Sequence, residues 1–534
     1  MSRIAFFSFP SPLPEGKPPA AGIPRPVGWI ILVSLAVKLG LLHLNAGEYT
    51  DGIIQLRLWD SPVVFFPPGY SAAVWVVHVL TGDWLLAGRL VSIAASGITL
   101  LVFYRLALFL TTNENEALWA TLFLALSPIF NRWSLRVMTD SLFLALFVWC
   151  AYQYVVLRAD PQRSPFRLLG WTGVAALVRY QGLFFLPFAL VWIWKRKETW
   201  EEAGSGRRAA GILGSFVPWL ALGLWIGLRG FGHVEQFVER GSFSPWVTVT
   251  QYFLMFETFV LYWPWAVTYG LFILGAMGFV SLARTKGAGP WFVRFSAVAA
   301  CVFLVAQSAF LSFQYRYMLP LLPLWCIAAA RGWTVCGGRI ENPRVRVGAG
   351  GLVLANLALM TAAVLLLQRA TFGDLADSAR FLASAKFQRV APPGTRVLSD
   401  EFYREGVYNV KMRFWAGEEF LKQSSIEWYY GTTPRAGDVV IFHNTYTSLS
   451  AMETEKKRLE EKFDVSVLQI WRGQTWGGEY MTIPLLPDIM VNPASPPLTS
   501  NPQCMAFRFF PQYYYSVALL LKDKIPHGGA DGGS

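Results

Sequence analysis

Apolar runs long enough to cross a bilayer recur through the first 367 residues of this 534-residue chain. A membrane-spanning helix needs about 20 such residues, and the runs lie at 27–44, 85–110, 117–130, 141–157, 209–228, 259–283, 295–311, 318–330 and 347–367. Residues 168–194 are too long for one upright helix and are interrupted by Arg179-Tyr180-Gln181-Gly182. Basic residues flank both ends (Arg158, Arg163 and Arg167 before, Lys195, Arg196 and Lys197 after), so both ends belong on one side. That segment is therefore read as two short helices with a turn between them, for about eleven crossings in all. With 54% hydrophobic and 15% charged residues, the composition is too apolar for a soluble enzyme of this size.

The net charge of +12 is a topology signal rather than a nucleic-acid footprint, because the basic residues sit in short loops between apolar runs. The loops 1–26, 158–167, 195–208, 284–294 and 331–346 carry eighteen Lys/Arg, whereas 45–84, 131–140, 229–258 and 313–317 carry six. By the positive-inside rule the proline-rich N-terminus, 1–26, is cytoplasmic. The run at 27–44 is longer than a signal-peptide core and reads as a retained anchor. An odd number of crossings then places the loop 45–84 and the tail 368–534 outside. The tail alternates helix-like 374–387, strand-like 395–399 and 438–442, helix-like 450–463 and strand-like 464–470, which predicts an extracytoplasmic α/β domain. Residues 484–503 read as loop and 527–534 as a disordered end. The five cysteines have no metal or disulfide spacing.

Charged residues at the membrane surface are the candidates for chemistry. Glu48-Tyr49-Thr50-Asp51 lies in the short outer loop. Asp51 is the candidate general base for an acceptor hydroxyl. The competing reading is an N-terminal cap on an amphipathic helix over 52–59. Glu48 is a weaker candidate, and it or Asp60 would pair with Arg57. Phe65-Phe66-Pro67-Pro68-Gly69-Tyr70 is stiffened by its prolines, as a cavity wall or simply a rigid entry into the next helix. Arg132 and Arg136 suit anion recognition or headgroup contact. Thr139 or Asp140 suits a helix cap. Arg179 wants a partner, either a donor phosphate or a carboxylate such as Asp51 or Asp140. Arg316, in Phe313-Gln314-Tyr315-Arg316-Tyr317, follows the same logic, as leaving-group ligand or interface anchor. Lys38 is expected to snorkel outward, and His43 is read as interfacial. Tyr49, Tyr70, Tyr317, Trp263 and Trp265 would shape a cavity for lipid and sugar. The five histidines form no metal cluster, and no nucleotide-type glycine loop is present.

The ordered succession of these segments resembles a known class. It runs from the acidic loop with Asp51 through Phe-Phe-Pro-Pro-Gly-Tyr and Thr81-Gly82-Asp83-Trp84 to Met138-Thr139-Asp140-Ser141. It ends with Leu177-Val178-Arg179-Tyr180-Gln181-Gly182 and Arg316-Tyr317-Met318-Leu319-Pro320. Over roughly 27–330 the chain is similar to the GT-C integral-membrane glycosyltransferases, in particular the dolichyl-phosphate-mannose–protein mannosyltransferase and aminoarabinose-transferase-like group. The resemblance implies inverting transfer of a sugar from a polyprenyl-phosphate donor at the outer membrane face, to a glycan, lipid or protein. It implies Asp51 as the catalytic carboxylate with Glu48 beside it, and Arg179 and Arg316 as donor-phosphate ligands. The motif here is Glu-Tyr-Thr-Asp rather than the commoner adjacent Asp-Glu, so the division of roles between Glu48 and Asp51 stays open. No cofactor is implied; one branch of the class uses a divalent ion and the mannosyltransferase branch does not. A transporter or flippase of lipid-linked saccharide would favour inverted repeats and mid-membrane charges. A non-catalytic subunit of an envelope-assembly complex is the other alternative. The sugar, the acceptor and the type of polyprenol are left open.

Overall fold

The computed structural model describes residues 22–58, 66–160, 163–195, 205–230, 263–264, 267–285, 288–308, 315–367, 369, 372–404, 407–476 and 511–524. Most of 1–26, Asp60, Phe65, Trp265, 484–503 and 527–534 lie outside these residues. The chain divides into two compact units. The first comprises residues 1–42 and 64–366 with 478–508, and the second comprises 43–63, 367–477 and 509–534.

In chain order the helices begin with α1 (Arg25–Gly40), α2 (Thr50–Leu56, part of the second unit), α3 (Gly69–Thr81), α4 (Trp84–Thr111), α5 (Glu114–Ala125), α6 (Pro128–Ser134) and α7 (Thr139–Ala159). They continue with α8 (Pro165–Val178), α9 (Leu186–Lys195), α10 (Ser205–Arg229), α11 (Tyr269–Arg284), α12 (Ala288–Ser308), α13 (Leu322–Gly338) and α14 (Pro343–Leu367). Short 3₁₀ segments, Tyr180–Phe185 and Tyr315–Leu321, lead into α9 and α13. Among the described residues five helical spans are long and apolar enough to cross a membrane: Trp84–Thr111, Thr139–Ala159, Gly211–Arg229, Arg316–Gly338 and Pro343–Leu366. Shorter apolar helices accompany them, among them α3 and α8.

The local chemistry explains the breaks. Asp83 starts α4 by accepting the Leu85 and Leu86 amides at 2.7 and 3.1 Å, and Asn113 does the same for α5. Helix α8 stops at Val178 because Arg179 is extended (φ −150°, ψ 135°), which divides residues 168–194 as their flanking charges predict. Residues 69–81, read from sequence as part of the loop 45–84, instead form the apolar helix α3. At 13 residues it falls short of the usual spanning length, which is why apolar-run reasoning passes over it.

Side-chain ties hold the first unit together. Lys38 is buried, with its ammonium 3.0 Å from Ser96 Oγ and 4.2 Å above the Phe130 ring, so it joins α1 to α4 and α6 rather than snorkelling. Arg331 of α13 donates to the buried Glu116 of α5 at 2.9 Å. Helices α11 and α13 cross closely because Gly278 and Gly332 face each other's backbones. A Cβ on Gly332 would overlap the Leu274 carbonyl, and one on Gly278 the Ala328 carbonyl.

The second unit adds α15 (Gly373–Leu382), α16 (Ala385–Val390), β1 (Arg396–Ser399), the small pair β2 (Phe402–Arg404) and β3 (Val407–Tyr408), and α17 (Val410–Gln423). It continues with β4 (Ser425–Trp428), β5 (Val439–His443), α18 (Leu449–Lys462), β6 (Phe463–Trp476) and β7 (Pro511–Asp523). The main sheet has order β4-β1-β5-β7-β6. Strands β4, β1 and β5 are parallel, and β7 runs antiparallel to both β5 and β6. All five residues of β5 are buried, as expected for a strand covered on both faces. Val397, Val439, Ile441 and Ala518 pack with Leu375, Leu382, Met412 and Phe420 of α15 and α17. Leu398, Val440, Phe442 and Leu519 pack with Met452 and Leu459 of α18. The two-residue period of the strands thus feeds two cores.

Candidate functional site

The first group of candidate residues is built where three parts of the first unit meet: the corner between α6 and α7, the end of α8, and the 3₁₀ segment before α13. Asp140 lies in the first turn of α7, whose N-cap is Met138 with no side-chain cap. The expected cap by Thr139 or Asp140 is therefore not made. Instead Asp140, almost fully buried, forms an ion pair with the Arg179 guanidinium across 39 residues of sequence. Its Oδ2 has no hydrogen-bond partner among the described residues. A carboxylate this buried requires such a partner, since one left alone costs several kcal/mol.

Arg179 also stands 5.5 Å from the centroid of the Tyr317 ring and 5.8 Å from that of Phe143. Arg316, 5% exposed, approaches the same Tyr317 ring at 5.3 Å and the Trp133 ring at 5.7 Å. Its Nη1 lies 3.5 Å from Met138 Sδ. Two guanidiniums 137 positions apart in sequence are thus gathered about one tyrosine ring, within the usual cation–π range. The Arg132 guanidinium lies 4.9 Å from the Trp133 ring centroid, and Arg136 is buried on the same corner. Tyr70 is placed differently: its buried hydroxyl donates to the Gly88 carbonyl at 3.0 Å and ties α3 to α4.

The segment that carries Arg316 and Tyr317 also borders an apolar cavity of about 420 Å³. Met318 and Leu321 of that segment line it together with Trp263, Phe272, Phe279 and Trp325. Cationic and apolar surfaces are therefore offered by one short stretch of chain.

The acidic segment belongs to the second unit. Glu48 is fully buried, Tyr49 nearly so, and Asp51 lies in the first turn of α2, partly exposed. The expected helix forms, but neither Thr50 nor Asp51 caps it, because the N-cap is Tyr49. Helix α2 packs on α17, and Arg57 pairs with Glu418 at 2.9 Å. Both partners of that pair are exposed, so it contributes little. The structure thus brings Asp140, Arg179, Arg316 and Tyr317 together in one unit, and Glu48, Tyr49 and Asp51 in the other.

A further arrangement was not foreseen from sequence. His443 at the end of β5 lies with Nδ1 2.7 Å from Asp400 Oδ1 and Nε2 3.0 Å from Ser378 Oγ, and all three are buried. The Ser378 hydroxyl also lies 3.0 Å from the Leu375 carbonyl. Burial disfavours the imidazolium, but Asp400, by charge and hydrogen bond, and then Asp374 and Glu401 outweigh it, and the His443 pKa is raised. The triplet is a buried hydrogen-bonded tie between α15, the end of β1 and β5. Among the described residues no three His, Cys, Asp or Glu side chains converge to hold a metal ion.

Comparison with known proteins bears on the fold. The family model described as dolichyl-phosphate-mannose-protein mannosyltransferase matches residues 66–228. The crystal structure of ArnT from Cupriavidus metallidurans bound to undecaprenyl phosphate aligns with a TM-score of 0.50 at 13% identity, covering 83% of this chain and 96% of ArnT. The chain has the GT-C fold. The apo oligosaccharyltransferase of Archaeoglobus fulgidus aligns with a TM-score of 0.43 at 12% identity, over 70% of this chain and 62% of that one. No curated protein sequence matches. The family match takes in Tyr70, Arg136, Asp140 and Arg179, whereas Glu48, Asp51 and Arg316 lie outside it.

Proposed function

We propose that this protein transfers a sugar from a polyprenyl-phosphate donor to a glycan, lipid or protein acceptor at the outer face of the membrane, with inversion. The observation that carries the reading is the segment 315–321. There Arg316 shares the Tyr317 ring with Arg179, while Met318 and Leu321 line an apolar cavity. A phosphate joined to an isoprenoid chain asks for guanidinium and apolar surface side by side. The fold of ArnT, whose structure holds undecaprenyl phosphate, supports the same donor class.

In this mechanism the acceptor oxygen attacks the anomeric carbon from the face opposite the phosphate. The bond between that carbon and the phosphate oxygen breaks, and its electron pair stays on the phosphate. Arg179 and Arg316 stabilise the charge that gathers there. Asp51 takes the acceptor proton, and buried Glu48 stands three residues before it. Asp140 holds Arg179 in place. Arg136 supports the same corner. The single displacement accounts for inversion.

The test uses purified protein in lipid nanodiscs with a panel of radiolabelled polyprenyl-phosphate sugars, scoring release to water and to crude envelope acceptors. Release from one donor, lowered about 10²–10⁴-fold in Asp51→Asn, is the expected result. Near-normal turnover in that variant removes the base assignment. Failure with every donor by a folded protein turns the reading toward a transporter or an assembly subunit.

A further inference from the structure

The acidic segment precedes the rest of its compact unit by some 300 residues of sequence, yet it is folded into that unit. Beside the packing of α2 on α17, several contacts meet at one corner, the start of α15. The Ala46 amide donates to the Arg369 carbonyl at 2.8 Å. Gly47 lies so close to Phe372 that a Cβ there would stand 2.6 Å from the Phe372 carbonyl oxygen. The Tyr49 ring meets the Phe372 ring edge-on, with centroids 5.4 Å apart and planes at 88°. Tyr49 is the N-cap of α2, and Asp51 follows two residues later in the first turn.

Phe372 is itself constrained. Its backbone is left-handed, φ 58° and ψ 19°, which a bulky residue adopts only when its surroundings determine it. The buried Lys411 ammonium stands 3.6 Å from its ring centroid, a short cation–π distance. Lys411 is fixed in turn, because Glu401 accepts its backbone amide and that of Met412 at 2.9 and 2.8 Å, at the start of α17. Helix α15 is anchored to the sheet beneath by Asp374, which accepts from Ser516 at 2.6 Å, and by Ser378 on His443. A well-packed α/β domain thus presents an aromatic residue with a left-handed backbone to the segment bearing the proposed base.

We infer that Phe372, backed by Lys411, is a positioning residue for Asp51: the C-terminal unit serves as the seat that orders the acidic segment for transfer. This rests on the glycosyltransferase reading. Phe372 acts through Tyr49 and Gly47 and has no role in holding donor phosphate. Its loss therefore affects turnover and not donor binding. A misplacement of about 1 Å in a catalytic group costs on the order of 10²-fold.

The experiment compares Phe372→Gly and Phe372→Tyr in the full chain in nanodiscs. Glycine accepts the left-handed backbone freely, so the first variant removes the ring without straining the corner, and tyrosine retains the ring. Two readouts are taken: amide hydrogen exchange across 50–57, with β1 and β5 as internal reference, and kcat and KM for the active donor. Phe372→Gly is expected to raise exchange across 50–57 at least tenfold with β1 and β5 unchanged. It should also lower kcat about 10²-fold at unaltered donor KM, and Phe372→Tyr should restore both. Unchanged exchange in 50–57, or raised exchange with unchanged kcat, overturns the inference, as does a loss confined to KM. If the unmodified chain turns over no donor, the functional reading fails by itself, and the exchange measurement still decides whether Phe372 seats the segment.

Discussion

Arg179 and Arg316 share an aromatic ring but not a surrounding. Arg179 has a carboxylate partner in Asp140, whereas Arg316 is set among Trp133, Tyr317 and the Met138 sulfur. A planar guanidinium suits both aromatic stacking and bidentate phosphate binding, and an ammonium reproduces neither. Arg316→Lys is therefore expected to lower turnover about 10²–10³-fold, the range seen on removing one donor to a developing oxyanion. Single-turnover transfer, measured beside thermal unfolding, checks this, and near-normal transfer would remove Arg316 from the phosphate site. Phe372 makes a complementary point. A left-handed backbone at a residue with a Cβ costs about 1–2 kcal/mol, and nothing in the local sequence Thr371-Phe372-Gly373 reveals that the chain accepts this at the aromatic residue rather than at the glycine beside it.

At the scale of elements, helix identity follows local chemistry while helix contact follows residue size. The crossing of α11 and α13 depends on Gly278 and Gly332, each lying against backbone atoms of the other helix. Trp325 completes that contact by donating from Nε1 to the Leu271 carbonyl at 3.0 Å. Gly332→Leu is expected to force these helices apart and destabilise the first unit by about 1–3 kcal/mol, the usual cost of overpacking. The α11–α13 pair borders the apolar cavity. Thermal unfolding in nanodiscs would show the loss, and an unchanged midpoint would mean that the crossing adapts. The β7 strand shows the opposite case. It completes the sheet between β5 and β6, yet no periodic neighbour in the sequence marks it.

For the molecule as a whole, two compact units carry different kinds of buried charge. In the second unit His443 and Glu401 both have raised pKa values. For Glu401 the cause is burial, opposed by Lys411 and by the two amides it caps. A group whose pKa is raised by folding binds its proton more tightly in the folded state. Its stabilising effect is complete below the unfolded value and disappears as pH rises through the folded one. With ordinary values near 4.3 for Glu and 6.5 for His, the second unit should lose stability as pH climbs from about 5 through the neutral range. Exchange protection of β5 amides in the full chain, corrected for intrinsic rates, should fall with pH. The upper part of that fall should be shallower in His443→Gln. A flat profile in the unmodified protein would show that the buried tie does not titrate with folding.

Much of the architecture was legible in the sequence, because the properties that specify it are local. The length of an apolar run and the charges at its ends predict a membrane helix, and the pair of helices broken at Arg179-Tyr180-Gln181-Gly182 is found as its flanking charges require. Strand-like segments at 395–399, 438–442 and 464–470 form β1, β5 and β6 for the same reason. What the tertiary structure decided is pairing. The sequence offered Arg179 two carboxylates, Asp51 and Asp140, and the fold paired it with Asp140. It offered Lys38 a route to the surface, and the fold buried it on Ser96 and Phe130. It marked Glu48 and Asp51 as reactive but carried no sign that a domain three hundred residues later would hold them. A charge in a poorly solvated place must find a partner, and residue type alone states that need. Which partner it finds depends on elements brought together from distant parts of the chain, a matter of packing that no local pattern encodes.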